Sequence, residues 1–170
     1  MPDPIAWDYA LTNSTEGRLL EGIVNRLKVT DLPCIPPERI VLQSMAWVPD
    51  ETQFPPPFVI VSPAPEGTPW QDATNERDDT LFAAFITVVL ANARETTRGM
   101  GLQLYWRERI RRKFQNLNIL RFTELGELDT GVNFLHGWIE SGDKFMEAAK
   151  RDQRDAQYYL CRFRVREPRE

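Results

Sequence analysis

The sequence predicts an α+β fold: a mixed, mainly antiparallel sheet with two main helices packed on it, in a single domain over residues 1–170. Three observations carry this prediction. Two stretches repeat apolar residues at helical spacing, and one stretch, 80–90, is apolar on both faces of a strand. Ten of the 13 prolines fall between residues 31 and 69, where they exclude long helices and leave an extended region.

The first helix is expected after Asn13, a capping residue three positions before Glu16, with Leu19, Leu20, Ile23, Val24 and Leu27 on one stripe. Within the Pro-rich region two short strands are expected: 39–47, which alternates weakly, and 58–62, which is apolar throughout like a strand covered on both faces. Residues 66–79 are polar and contain Gly67, Pro69, Asp72, Asn75 and the pair Asp78 and Asp79, so an exposed loop is expected there. In strand 80–90, Phe82, Ala84, Ile86, Val88 and Leu90 share one face and Phe85, Thr87 and Val89 the other, which places it centrally.

Gly99, Met100 and Gly101 open the second helix. Its Leu102, Trp106, Ile110 and Phe114 form the packing stripe, while Arg107, Arg109, Arg111, Arg112 and Lys113 spread over the remaining surface. Two further strands are expected at 132–140 and 156–165. In the second, Tyr159, Cys161, Phe163 and Val165 point inward and Tyr158, Arg162 and Arg164 outward. Between them, 144–154 has helical character and strong charge.

A chain of 170 residues and 19.7 kDa is long enough for one substantial core. Its net charge of -4 argues against a protein whose main task is coating nucleic acid. Seventeen of the 21 basic residues are Arg, whose planar fork favours fixed ionic contacts at interfaces. The start M-P-D-P-I-A-W-D has no basic or apolar leader pattern, and no apolar run approaches the roughly 20 residues of a membrane span. The expected location is the cytosol or a particle built there, with no membrane partner.

Catalytic chemistry finds little support. Cys34 and Cys161 lack metal-ligand spacing and read as buried reduced thiols. His136, the one histidine, lies in F-L-H-G-W without a nucleophile motif and reads as structural. The Gly99-Met100-Gly101 triplet is not continued into a phosphate loop, and Pro49-Asp50 is not followed by a Glu-x-Lys pair. No catalytic residue, cofactor or metal is expected. A divalent-metal hydrolase using Asp72, Asp78 and Asp79 stands as an alternative, although the D-x-D-x-D-G spacing of a calcium loop is missing.

The cluster from Arg107 to Lys113 has three readings: a solvated helix face, a nucleic-acid contact, or a subunit interface. In the third, the acidic stretch 66–79 of one copy meets the basic helix of the next in a head-to-tail ring. Arg107, Arg111 and Arg112 are then the candidates for ring or lumen contacts, and Asp78 and Asp79 for the neighbour-facing side. Trp70, with Trp7 and Trp47, is a candidate aromatic anchor. A small DNA-binding accessory protein using the Arg helix is the alternative from a different class.

The layout resembles the minor neck and tail-completion proteins of tailed bacteriophages, of the tail-terminator type. The features that carry the resemblance are the helix 16–29, the strand P-P-P-F-V-I-V-S-P, the turn T-N-E-R-D-D-T into strand 81–90, and the helix 101–116. The segment F-M-E-A-A-K-R-D-Q-R-D and the closing strand Q-Y-Y-L-C-R-F-R-V complete it. The resemblance implies a tail terminator-like fold and a non-enzymatic virion protein: a homohexameric ring that caps the tail tube, stops its polymerisation and joins it to the head. It implies self-association, contact with the tail tube protein and head-tail connector proteins, and non-specific contact with DNA in the lumen. The Pro-rich, insert-like region 31–57 departs from the pattern and leaves a head-tail connector or stopper role open.

Overall fold

The computed structural model describes residues 14–44, 55–64, 77–90, 98–114, 133–141 and 155–168. Helix α1 (Thr15–Lys28) starts at Ser14, whose extended backbone turns its hydroxyl to accept the Gly17 N–H at 3.0 Å. The cap is therefore Ser14 rather than Asn13, because Ser14 is the residue whose side-chain oxygen reaches the third amide of the helix. Glu16 in the first turn and Arg26 and Lys28 in the last complement the helix dipole. Leu19, Ile23 and Leu27 fall on one stripe and are almost fully buried, each worth about 1.5–3 kcal/mol of apolar transfer.

Beyond α1 the chain turns sharply. Thr30 Oγ1 donates to the Arg26 carbonyl at 2.7 Å, and the Ile35 N–H donates to the Leu32 carbonyl at 3.0 Å. Leu32 and Ile35 are buried, while Cys34 between them adopts φ 67° and is exposed. This corrects the expectation of a buried thiol at Cys34: the turn is anchored by its apolar flanks and pushes the intervening side chain outward. Cys161 is buried, as expected.

The strand expected over 39–47 is shorter. Pro36 and Pro37 initiate a 3-10 turn, Pro37–Arg39, in which the Arg39 N–H donates to the Pro36 carbonyl at 2.9 Å. Arg39 is thereby taken out of the strand, and β1 is Ile40–Leu42. It pairs in parallel with β2 (Phe58–Pro63) from Ile40↔Val59 to Leu42↔Val61, and the Gln43 N–H adds a bond to the Val61 carbonyl. Residues 45–47 lie outside the described residues.

The remaining elements are β3 (Arg77–Leu90), α2 (Arg98–Phe114), β4 (Asn133–Ser141) and β5 (Asp155–Pro168), and the sheet order is β1-β2-β3-β5-β4. Pairings other than β1 with β2 are antiparallel. The fold is α+β, with a mixed, mainly antiparallel sheet and two helices packed on it. β3 and β5 pair along their whole length, from Arg77↔Pro168 to Leu90↔Asp155, and form the centre of the sheet. β4 follows β5 with a bulge between Phe134 and His136.

The pairing of β3 with β5 overturns part of the predicted loop 66–79. Arg77, Asp78 and Asp79 are strand residues opposite Pro168, Glu167 and Arg166. Their backbone groups find partners in β5, and this long-range ladder outweighs the local turn preference of Asp. Residues 66–76, Trp7, Trp47, Trp70 and the segment 144–154 lie outside the described residues.

One face of the sheet carries both helices. Val59 and Val61, Ala84, Ile86, Val88 and Leu90, and Tyr159, Cys161, Phe163 and Val165 close over the apolar stripes of α1 and α2 in one cluster. α1 lies over β1 and β2, and α2 contacts β4. The alternation expected in 80–90 and 156–165 is therefore the alternation observed. On the opposite face Phe58, Ile60 and Val89 form a smaller cluster with Val41. Ser62 and Thr87 are buried on that face as well, and their hydroxyls have no hydrogen-bond partner among the described residues. Among the described residues no helix is long and apolar enough to cross a membrane.

Candidate functional site

α2 is amphipathic, with an outer side that is mostly basic but also exposes Leu104 and Tyr105. Trp106, Ile110 and Phe114 are buried at four-residue spacing and Leu102 is partly buried, as the sequence pattern requires. Two contacts fix the rotation of the helix. The Trp106 indole Nε1–H donates to the Pro33 carbonyl at 2.9 Å, and the Arg26 guanidinium of α1 sits 5.9 Å from the centroid of the Phe114 ring.

At about 100° per residue, fixing that inner stripe turns Gly101, Leu104, Tyr105, Glu108, Arg111 and Arg112 outward. All six are exposed. Leu104 and Tyr105 are 54% and 37% exposed, and Val29 at the end of α1 is 68% exposed. On the flank of this arc, Arg109 folds back along the helix. Its Nε and Nη2 donate to the Tyr105 hydroxyl at 2.9 and 2.6 Å, and its guanidinium lies 5.0 Å from the Tyr105 ring centroid. Asp31 Oδ2 stands 3.8 Å from Arg109 Nη2. The hydrogen bond and the charge interaction with Tyr105, and after them the charge of Asp31, raise the Arg109 pKa further; its guanidinium is a permanent cation, here in a held conformation.

The three arginines singled out from sequence occupy different settings. Arg111 is exposed and aims away from the core. Arg112 is exposed but forms an i,i+4 ion pair with Glu108 of its own helix. Arg107 is half-buried, and its charge acts on the Tyr159 hydroxyl of β5, opposing the upward shift that burial gives that phenol. Asp78 and Asp79 belong to β3 rather than to a loop. The acidic and basic candidates thus sit on two different elements.

Comparison with protein-family models and with curated proteins finds no match. Function must therefore be read from these surfaces. Among the described residues no group of three His, Cys, Asp or Glu side chains gathers where it could hold a metal ion.

Two features of the site were passed over in the sequence. The Tyr105–Arg109 pair is legible as a Tyr-x-x-x-Arg spacing on one helix face, and Leu104 is legible as an apolar residue off the stripe of Leu102, Trp106, Ile110 and Phe114. Only the burial of that stripe shows that both lie outside.

Proposed function

We propose that this chain is a structural assembly subunit of the neck or tail end of a tailed-bacteriophage particle. In this reading it is not an enzyme. It forms a homohexameric ring that caps the tail tube and joins it to the head, contacting the tail tube protein and the head-tail connector proteins. The ring's location is the virion, built in the host cytoplasm, and its lumen touches DNA without sequence preference.

The observation that supports this reading best is the separation of charge between elements. Residues 98–114 carry six basic side chains against one acidic, a net of about +5, in a chain whose total is -4. Residues 66–79 carry five acidic side chains against one basic. A head-to-tail ring needs two different, complementary surfaces on each subunit, and a sequence that concentrates opposite charges in two segments supports that reading. The layout described above, which resembles that of the tail-terminator proteins, supports the same reading.

The test is the mass of the purified chain across a concentration series, with negative-stain images of the same samples. Closed rings of uniform size are the expected result. Particles that stay monomeric at every concentration would count against the ring, and normal assembly of the Arg111→Glu variant would remove that arginine from its interface.

A further inference from the structure

The outward arc of α2 holds three features that the packing of the described residues leaves on the surface. Gly101 lies within the helix, and a Cβ placed there would meet nothing within 4 Å. Glycine inside a helix costs about 0.5–1 kcal/mol relative to alanine, and no contact among the described residues requires it at this position. One turn further on, Leu104 and Tyr105 expose apolar surface to water, although the helix already has a complete inner stripe. Beside them Arg109 is held by two hydrogen bonds and ring stacking against Tyr105, which lowers the rotamer entropy lost when it engages a carboxylate.

A small residue that permits close approach, two adjacent apolar side chains and a braced Arg at the rim make up the composition of an interface centre. Charge complementarity identifies the occupant. With about +5 on residues 98–114 and -4 in total, the rest of the chain carries about -9, so a second copy brings an excess of negative charge complementary to this helix.

We propose that the Gly101, Leu104 and Tyr105 arc, with Arg109 at its edge, is the surface on which a second copy of this chain docks through its acidic side. This rests on the assembly reading above and deepens it by naming the anchor. Leu104 and Tyr105 are dehydrated by the partner, Gly101 admits the partner's backbone, and Arg109 uses the N–H groups not committed to Tyr105 to bind a partner carboxylate. The arginines at 111 and 112 then contribute long-range attraction more than contact energy.

Sedimentation velocity on the full chain across concentration tests this, with Gly101→Leu, Leu104→Ser and Arg109→Glu beside the native sequence and thermal unfolding of dilute samples as a fold control. Gly101→Leu should unfold at an equal or higher temperature and yet weaken self-association at least about tenfold, with similar losses for the other two variants. If the native chain assembles and all three variants assemble equally well, this surface is not the interface, while the ring reading stands. If the native chain never self-associates, the ring reading fails and this proposal with it. If the variants lose affinity for a single-stranded oligonucleotide but keep native self-association, the occupant is nucleic acid and the second copy is excluded.

Discussion

The indole N–H of Trp106 donates to the Pro33 carbonyl at 2.9 Å, linking positions 73 residues apart. This bond ties α2 to the turn that follows α1. Because Trp106 is also buried, the same residue sets the depth and the rotation of α2, and so decides which side chains form its outward arc.

Replacing Trp106 with Phe should cost about 2–3 kcal/mol, part from lost volume and part from the Pro33 carbonyl left without its donor. Urea denaturation followed by far-UV circular dichroism measures it. A loss below about 0.5 kcal/mol would mean that the Trp106 bond does not hold the helix.

Thr87→Val should stabilise the fold. The Thr87 hydroxyl is buried on the face that carries Phe58, Ile60 and Val89 and has no hydrogen-bond partner among the described residues, so its removal in an isosteric side chain relieves an uncompensated desolvation. A gain of about 1 kcal/mol is expected, raising Tm by about 2–4 °C for a chain of this size. A lower Tm would show that the hydroxyl is bonded after all.

The two thiols should react in sequence. Cys34 is exposed, whereas Cys161 is buried in the main core, where desolvation pushes its pKa far up and suppresses the thiolate. Brief alkylation in native buffer should add one label, located at Cys34 by peptide mass mapping, with the second appearing only in denaturant. Native labelling of Cys161 at a comparable rate would contradict its burial.

Alkali should weaken the fold through Cys161 and Tyr159. Burial raises both pKa values, and the Tyr159 hydroxyl also donates to Gln157 Oε1 at 3.0 Å. The unfolded chain releases these protons near about pH 8.5 for thiol and about pH 10 for phenol, while the folded chain keeps them. Over that interval the folded state binds more protons, so stability is full below about pH 8.5 and falls as pH rises toward the folded values. The urea midpoint of Cys161→Ala, measured from pH 7 to 11, should fall less between about pH 8.5 and 10 than that of the native chain. Parallel curves would exclude Cys161 as the source.

The local pattern of residues was sufficient for the elements whose burial repeats along the chain. The stripe Leu19, Ile23, Leu27, the stripe Trp106, Ile110, Phe114, and the inward row Tyr159, Cys161, Phe163, Val165 are legible in sequence and buried in the fold, because a helix or strand converts spacing directly into a face. The same holds for the α+β class, which follows from the number and type of such faces. What depended on distant partners was not legible. β3 begins at Arg77 because β5 supplies its ladder, β1 is short because Pro36 and Pro37 open a 3-10 turn before it, and Cys34 is outside because Leu32 and Ile35 hold the turn from within. The outward arc of α2 belongs to this second kind. The sequence placed arginines around a helix, but the packing of Trp106 against the Pro33 turn decided that Gly101, Leu104 and Tyr105 face water and that Arg109 is braced beside them. A residue's exposure is settled only when the elements that compete to cover it have docked.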